Sequence, residues 1–441
     1  MIMYDFAAEN YAVSPRILPA NQTSKIKVTP RGDHARFDRS ESLTVELFPV
    51  SGLDSAGLYN YEPEKTLHWE LTDDGGLLLD AFFAGEQEYT LQVTLNKFGH
   101  PEGVRYNRIW RIGLYSVEAD LYKKYPFRGD MHMHSEESDG EFAPAMLAAR
   151  GRELGMDFLA VTDHGKYDPS LKAVNAFAKL DSGLLVCPGE EVQLPGTPVH
   201  IVNFGGKSSV NAKAQADENA YRNEVKTIID DMNGLTPGND PFPVGSAEWA
   251  FRQIREAGGL GIFCHCFWQK QSYVVNEATT RDIINHCSFD AIEAVSGHGL
   301  ASFASSNLQF ALVNDLNNSA RPLNMVGTSD THMAHLANEF GCVYSVVWAD
   351  ELNADSIIDA VKKGFCTAAE EMTNHIPRFY GSFRLVRYAA FLRKHYFPQH
   401  DRLCAAEGIL LREVLNSNTA LQPAVAAAAQ AVNNYRNTLF A

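Results

Sequence analysis

The sequence of 441 residues lacks the CxxC spacing, and its seven cysteines are scattered and odd in number. A disulfide framework would use an even, regularly spaced set, so these cysteines indicate thiols that are kept reduced, as in a cytosol. No run of residues approaches the roughly 20 apolar residues that a membrane-spanning helix needs. The first residues, MIMYDFAAENY, also lack the basic flank and the apolar core of a signal peptide. We therefore expect a cytoplasmic protein with no membrane partner.

Positive charge is in deficit, because 38 Lys and Arg face 54 Asp and Glu, which gives a formal net charge of −16. Long-range repulsion from a phosphate backbone argues against general nucleic-acid binding. A small phosphorylated substrate is still compatible with this charge, since bound divalent metals reverse the field locally. With 45% hydrophobic and 21% charged residues, the composition excludes a disordered chain and predicts a globular protein.

The pattern of apolar residues divides the chain into three segments. Over residues 1–122, alternation such as LTVEL predicts the antiparallel strands of a β-sandwich. Over residues 123–376, short apolar strands alternate with helical stretches, which predicts parallel strands joined by crossovers, hence a TIM-like barrel or an open wound sheet. Residues 377–441 have a helical pattern and predict a C-terminal helical extension. The predicted fold class is multi-domain α/β plus all-β.

Residues 205–247 interrupt the alternation with a polar stretch rich in Asn, Gly and Pro. A loop of this length without strands of its own is usually functional or disordered. Two interpretations are open at this point: a cap insertion over a site, or a plain insertion on the surface.

Side chains that bind metals recur where the strands of the second segment are predicted to end. His132 and His134 lie at positions i and i+2 of the first strand, so both imidazoles point to the same face, as chelation of one ion requires. The carboxyl ends of parallel strands are where α/β active sites form. Further imidazoles and carboxylates follow near the ends of later strands: Asp139, His164, Glu191, His200, His265, Asp330 and His332.

A single histidine in a strand is usually a packed or exposed side chain, but nine donors at successive strand ends indicate a polynuclear metal centre. Imidazole and carboxylate ligands without cysteine suit Zn²⁺, Mn²⁺ or Fe²⁺ and do not choose among them. Cys264 and Cys266 flank His265. On a straight strand both thiols would point to the opposite face from His265, as core side chains.

The motifs HMHSEESDG, LAVTDHG, PGEEV and GTSDTH, together with the strand that ends at His265, resemble those of the PHP (polymerase and histidinol phosphatase) family. The resemblance covers roughly residues 128–370, a little over half of the chain. It leaves the predicted β-sandwich and the C-terminal helices outside. It implies a distorted (βα)7 TIM-like barrel that uses bound metal ions to hydrolyse phosphate esters.

The resemblance also implies three groups of ligands, two of which share a bridging carboxylate. These groups are His132, His134, Glu191 and Asp330; Glu191, His200 and His265; and Asp139, His164 and His332. Glu191, rather than its neighbour Glu190, matches the family pattern, in which the Glu precedes a β-branched residue, here Val192. Some family members have His where this sequence has Asp139. Two or three divalent metal ions, as zinc, manganese or iron, are therefore expected.

Such a centre is suited to phosphoryl chemistry. Two metals about 3.5–4 Å apart can share a water and lower its pKa toward about 7, which gives a hydroxide at neutral pH. The same ions meet the negative charge that develops on the phosphoryl oxygens. We therefore predict a metal-dependent phosphoric ester hydrolase that acts on a small phosphorylated metabolite or nucleotide.

Several other residues near the predicted ligands are candidates for further roles. Asp163 and His298 are candidates for proton transfer, although a hydrogen bond that ends its strand explains Asp163 equally well. Lys166 and Lys270 lie on loops after predicted ligands and are candidates for phosphate binding, or are solvated surface charges. Trp268 could stack on a ring of the substrate, or pack against the rim of the barrel.

Two other functions stay open on the sequence alone. An amidohydrolase-like barrel would use similar ligands to cleave an amide or a lactone. That barrel usually relies on a carbamylated Lys or a bridging Glu, and no Lys lies at the end of a predicted strand here. Alternatively, the β-sandwich would bind a carbohydrate or protein partner while the barrel is a scaffold stabilised by metals.

Overall fold

The described part of the chain is mixed α/β and multi-domain. The computed structural model describes residues 10–38, 42–51, 65–97, 106–297, 303–316, 323–336, 339–372 and 376–440. The chain divides into a first unit, made of Met1–Lys124, Ala390–Pro398 and Asn433–Ala441, and a second unit, made of Tyr125–Ala389 and Gln399–Val432. Residues 377–441, the predicted C-terminal segment, contribute to both units.

The first unit is built on two sheets. Its strands are β1 (Tyr11–Ser14), β2 (Ile17–Pro19), β3 (Gln22–Pro30), β4 (Ser42–Pro49), β5 (Lys65–Thr66), β6 (Trp69–Leu71), β7 (Leu77–Phe83), β8 (Gln87–Lys97) and β9 (Tyr106–Val117). One sheet has the order β1-β3-β7-β6 and the other β2-β9-β8-β4-β5. The described pairings are antiparallel except that of β2 with β9, which is parallel.

Alternation of buried and exposed side chains explains why these segments form strands. In β7, Leu77, Leu79, Ala81 and Phe83 are buried while the residues between them are more exposed. Successive side chains of a strand point to opposite faces, so this period of two buries one face. Buried residues of both sheets belong to a single apolar cluster.

The second unit contains the remaining strands. They are β10 (Tyr125–Asp130), β11 (Phe158–Ala160), β12 (Leu185–Cys187), β13 (Gly189–Gln193), β14 (His200–Phe204), β15 (Leu260–Phe263), β16 (Ala291–Ser296), β17 (Met325–Thr328), β18 (Val343–Ala349), β19 (Cys366–Glu370) and β20 (Arg378–Tyr380). One sheet has the order β12-β11-β10-β18-β19-β20 and the other β13-β14-β15-β16-β17. Apolar residues of both sheets share one buried cluster.

The alternation of strands and helices predicts parallel strands in the second unit. The structure has both parallel and antiparallel pairs there. The pairs β10–β11, β11–β12, β15–β16 and β16–β17 are parallel, whereas β13–β14, β14–β15 and the pairs of β18 are antiparallel. Residues 194–199 are all that connects β13 to β14. A parallel pair needs a crossover of about a dozen residues or more, so this short connection can only form a hairpin.

Helices follow most of these strands and continue to the C-terminal region. They are α1 (Pro144–Glu153), α2 (Asp168–Phe177), α3 (Val210–Ala216), α4 (Glu218–Asp231), α5 (Phe242–Glu256), α6 (Glu277–His286), α7 (Phe303–Leu316), α8 (Ala354–Lys362), α9 (Phe383–His395), α10 (Phe397–Leu415) and α11 (Gln422–Phe440). Among the described helices we find none whose length and hydropathy would let it span a membrane.

Residues 205–247, the candidate cap, contain two helices that pack against α5. Tyr221 of α4 is buried, and its ring centroid lies 4.9 Å from that of Trp249. The loop after α4 is held by Asp282, whose carboxylate accepts hydrogen bonds from the backbone N and the Oγ1 of Thr236. The described residues that line the cavity in front of the candidate site come from other segments.

His395, in the first unit, is expected to make the stability of the protein depend on pH. Its Nε2 is buried without a hydrogen-bond partner among the described residues, and a Cβ added at Gly113 would lie 2.5 Å from it. Burial, together with the positive charges of Lys394 and Arg16, lowers the pKa of His395 to about 3. An unfolded histidine titrates near 6.5.

Between these two pH values the unfolded chain binds more protons than the folded chain. The stability that the protein has while His395 is neutral in both states is therefore complete above pH 6.5 and is lost as the pH falls toward 3. The free energy of unfolding should fall by about 2 kcal/mol from this residue between pH 7 and pH 5. In denaturant titrations, the free energy of unfolding of His395→Leu should depend less steeply on pH than that of the wild type. The control variant His68→Leu, at an exposed site, should keep the pH dependence of the wild type. Identical pH profiles for His395→Leu and the wild type would contradict the prediction.

Candidate metal centre

The first two predicted ligands follow β10 directly. Met131 and Met133 are fully buried, and Met131 belongs to the apolar core. Alternation along the extended chain therefore sends His132 and His134 to the opposite side. Both imidazoles are buried, and their Nε2 atoms lie 3.2 Å apart. The HxH spacing thus brings two nitrogen donors to one point.

The carboxylate of Glu191 is the centre of the site. Glu191 is fully buried on β13, and a backbone bridge pairs it with His164. Its Oε1 lies 2.8 Å from Nδ1 of His200 and 3.1 Å from Nε2 of His265. Its other neighbours are Nε2 of His132 at 3.6 Å, Nε2 of His134 at 3.7 Å, and Nδ1 of His164 in close contact. The position therefore suits a carboxylate that is shared between two ions.

Asp330 supplies a second buried carboxylate just after β17. Its Oδ1 lies 2.9 Å from Nε2 of His134 and 3.2 Å from Nε2 of His132. Asp330 has a φ of +50° and His265 a φ of +24°. Residues other than glycine rarely adopt this region, and such strain persists where the surrounding structure holds a residue for function.

The carboxylate of Asp139 lies between the imidazoles of the third group of ligands. This carboxylate is about half exposed, with Oδ2 3.4 Å from Nε2 of His164 and Oδ1 3.3 Å from Nε2 of His332. The Nδ1 atom of His134 lies 3.9 Å from the same carboxylate. The structure therefore places His134 between the first and the third predicted groups.

The nine predicted ligands fit divalent metal ions. Each of them belongs to a group of donor atoms that all lie within 4.8 Å of one another. The buried Nδ1 atom of His134 has no hydrogen-bond partner among the described residues, and the 2.8 Å contact of the His200 Nδ1 atom with Glu191 does not have hydrogen-bond geometry. A buried polar atom without a partner is costly, and lone pairs of imidazole and carboxylate repel each other unless a proton or a metal ion lies between them. Ligation of a cation would remove both costs.

The charges at the site also favour a cation. Burial alone would raise the pKa of Glu191, but the surrounding imidazoles, His132 first, hold it well below its usual value. Burial would lower the pKa of His132, but the carboxylates of Asp330, Glu293 and Glu191 raise it well above the usual value. The carboxylate of Glu191 therefore remains ionised and favours positive charge beside it.

Glu293 is a functional residue that the sequence interpretation missed. This fully buried side chain of β16 accepts hydrogen bonds from Nδ1 of His132 at 2.7 Å and from Oγ1 of Thr328 at 2.6 Å, both at Oε1. Its Oε2 accepts the backbone N–H of His265 at 2.7 Å. By holding the proton on Nδ1, it leaves Nε2 of His132 free to ligate. The signal in the sequence is one glutamate inside an otherwise apolar strand, FDAIEAVS.

Asp163, a candidate for proton transfer, is hydrogen-bonded to the loop that follows β10. Its carboxylate is fully buried and accepts hydrogen bonds from the N and Oγ of Ser135, at 2.8 and 2.6 Å, and from Oγ of Ser138. These bonds fix the loop that carries Asp139. The other candidate for this role, His298, lies outside the described residues.

The two candidate phosphate-binding lysines differ in their surroundings. Lys270 lines a cavity of about 600 Å³, onto which six of the predicted ligands also open: Asp139, His164, His200, His265, Asp330 and His332. Lys166 is not among the described residues that line this cavity, and its Nζ contacts the carbonyl oxygen of Glu137 instead.

Cys264 lies closer to the site than a straight strand would place it. Its Sγ groups with ring nitrogens of His132 and His265 within 4.8 Å. β15 ends at Phe263, and the positive φ of His265 bends the chain there. Burial and then the nearby carboxylates raise the pKa of Cys264 well above its usual value, so the thiol stays protonated. Cys266 lies in the apolar core, as expected.

Comparison with known proteins adds the following. No family model matches the chain. A segment of 64 residues, 14% of this chain, is 36% identical to DNA polymerase/3'-5' exonuclease PolX of Bacillus subtilis. The match spans only 11% of that polymerase.

Solved structures give longer matches at low identity. A two-domain protein from Bacteroides vulgatus, described as containing a predicted PHP-like metal-dependent phosphoesterase, is 19% identical, with a TM-score of 0.40 over 62% of this chain and 71% of the other. An amidohydrolase from Chromobacterium violaceum is 19% identical, with a TM-score of 0.31 over 46% of this chain and 87% of the other. The description of the Bacteroides vulgatus protein names the PHP-like phosphoesterases that the motifs of this sequence resemble.

Proposed function

We propose that this protein is a metal-dependent hydrolase that releases phosphate from a small phosphate ester. The observation that carries the proposal is the convergence of nine imidazole and carboxylate side chains, from six separate stretches of sequence, into overlapping groups of donor atoms. Centres of this kind bind the oxygens of a phosphoryl group as well as the attacking water. The adjoining cavity of about 600 Å³ has the size of a small-molecule site.

We also propose that the second unit is a distorted seven-stranded barrel and the first a β-sandwich. The two sheets of the second unit are joined by backbone bridges between His164 and Glu191 and between Met133 and Thr331. These bridges connect β11 to β13 and β17 to β10, which supports a closed ring of seven strands. A closed ring explains why residues far apart in sequence line one rim.

We assign the ligands to the ions as the motifs imply. His132, His134, Glu191 and Asp330 would hold one ion; Glu191, His200 and His265 a second; and Asp139, His164 and His332 a third. When bound, such ions supply an acidified water and positive charge for the phosphoryl oxygens. Glu293 orients His132, and Asp163 holds the loop of Asp139, so both side chains act through ligands. The walls of the cavity would exclude bulk water from the ester.

Metal analysis combined with a substrate panel tests the proposal. We expect purified protein to contain two or three equivalents of Zn, Mn or Fe, and to release phosphate from several monoesters. A chelator should abolish release, and added metal should restore it. The panel also includes amides and lactones, since an amidohydrolase would use similar ligands. Cleavage of those compounds without release of phosphate from any ester, or protein that takes up no metal, would contradict the proposal.

A further inference from the structure

One wall of the cavity consists of side chains that are not predicted ligands. These are Trp268, Gln269, Lys270, Ala304, Ser305, Met333 and Glu339. Trp268 is the largest of them and lies three residues after the predicted ligand His265. Its ring centroid lies 5.9 Å from that of His265 and 6.2 Å from that of His200. The indole is thus the immediate neighbour of two ligand imidazoles.

Packing of the apolar core does not account for Trp268. Cys266 and Phe267, the two residues before it, belong to a buried apolar cluster. Trp268 is only partly buried and is not among the described residues of that cluster. A large apolar ring that is held at a cavity without joining the core is suited to contact with a ligand.

The loop that carries Trp268 is fixed by hydrogen bonds. The backbone N of Trp268 donates to the carbonyl oxygen of His265 at 2.8 Å, and Val274 N donates to the carbonyl oxygen of Trp268 at 2.9 Å. Within this turn, Gln269 and Tyr273 form a backbone bridge. Ser305 of α7 donates to the carbonyl oxygen of Phe267 at 2.9 Å. The backbone that carries the indole is therefore fixed before any ligand binds, which lowers the entropy cost of binding.

Lys270 adds a positive charge to the same wall. Its Nζ lies 4.8 Å from the centroid of the Trp268 ring, within the range of a cation–π contact. No carboxylate among the described residues forms an ion pair with this ammonium group. The wall therefore combines a flat aromatic face with a cation that can pair with an anionic group of a ligand.

We propose that Trp268 and Lys270 form the leaving-group subsite and select esters of alcohols that carry a flat, conjugated ring, with an anionic substituent on that ring facing Lys270. This inference rests on the proposed function, because it assumes that the phosphoryl group lies among the ligands. The alcohol part of the ester then extends toward the indole, which is the nearest neighbour of His200 and His265 on that side. Offset stacking of two flat rings favours a conjugated ring over a puckered one of equal size.

Binding of two non-hydrolysable ligands tests the role of Trp268. Benzylphosphonate and cyclohexylmethylphosphonate have the same phosphonate group and rings of six carbons, but only the first ring is flat. Titration calorimetry on the metal-loaded protein should show tighter binding of benzylphosphonate. Trp268→Leu should weaken that binding by about fivefold to tenfold and change binding of the cyclohexyl ligand by less than about twofold. Trp268→Phe should restore most of the preference.

Tyr273→Leu is the matched control, because Tyr273 belongs to the same turn but packs against Phe267 and is not among the described residues that line the cavity. It should leave both affinities unchanged. Metal content and the thermal midpoint of each variant show that the centre and the fold are intact. Equal losses for the two phosphonates in Trp268→Leu, or a wild type without preference for the flat ring, would overturn the proposal.

Lys270 is tested with 4-carboxybenzylphosphonate. Lys270→Gln should weaken binding of this ligand by about threefold to tenfold and leave binding of benzylphosphonate within about twofold, since only the first ligand carries the second charge. Equal effects on the two ligands would overturn the assignment of Lys270.

Turnover separates this inference from the proposed function. Benzyl phosphate and cyclohexylmethyl phosphate have leaving groups of similar basicity, so kcat/KM should follow the binding preference. Release of phosphate from both esters without any preference would overturn the subsite and leave the proposed function intact. Preferential binding of benzylphosphonate without release of phosphate from any ester would contradict the proposed function and support the aromatic subsite alone.

Discussion

Replacement of Glu191 by Gln is expected to remove bound metal and to lower phosphate-ester turnover by more than about 100-fold. Partners one step further from a metal typically change metal affinity or activity by about 10–100-fold, so loss of a shared ligand should exceed that range. The amide keeps the shape of the side chain but presents an NH₂ group to the imidazoles that surround this position. Elemental analysis and steady-state kinetics measure the two effects.

The neighbouring Glu190 provides the matched control. It is also fully buried, but its carboxylate faces α3, where it accepts hydrogen bonds from Oγ of Ser209 at 2.7 Å and from Nδ2 of Asn211 at 2.8 Å. Glu190→Gln should therefore cost about 1–3 kcal/mol of stability and leave the metal content unchanged. Wild-type metal content in Glu191→Gln together with loss of metal in Glu190→Gln would show that the two carboxylates had been assigned the wrong way round.

Most of the predicted ligands have a local signal in the sequence. The i, i+2 pair of His132 and His134 defines its own geometry, and most of the other donors follow short apolar segments, whose ends parallel strands bring together. Glu191 lies inside β13 and His200 begins β14, so the positions of these two depend on the antiparallel pairing of β13 with β14.

Other features depend on tertiary contacts that have no local signal. The proximity of Cys264 to the ligands follows from a bend at His265, where φ is +24°, and a period-two pattern assumes a straight strand. Glu293 acts through His132, 161 residues earlier in the sequence. The residues beside Glu293 in the sequence do not indicate that His132 is its partner.

The pattern of the sequence does not indicate which charged side chains are buried. Arg152 lies in the helix PAMLAARGRE, where an arginine near the C-terminal end resembles a solvated side chain that interacts with the helix dipole. In the structure it is fully buried. Its partner Glu407 lies on α10, 255 residues further along the chain. The helical periodicity of α10 predicts a helix but does not reveal this ion pair.

Removing one charge from this pair is expected to produce the largest loss of stability in the second unit. Arg152 donates from Nη2 and Nε to Oε2 of Glu407 at 2.7 and 2.9 Å, and from Nη1 to Oδ1 of Asp157 at 3.0 Å. Glu407→Leu leaves a buried guanidinium with one carboxylate instead of two. Breaking a buried pair by removing one partner costs about 3–5 kcal/mol, because the remaining charge is uncompensated. Denaturant unfolding measures this loss.

Two further variants decide whether the loss arises from the unpaired charge. Arg281 forms an exposed pair with Glu277 at 2.8 Å, so Arg281→Gln should change stability by less than about 1 kcal/mol. The double variant Arg152→Met/Glu407→Leu replaces both charges with apolar groups and should recover part of the loss, since a buried pair is often no more stable than its apolar replacement. If the double variant were less stable than Glu407→Leu alone, the cost would come from packing, and the buried charge would not be its cause.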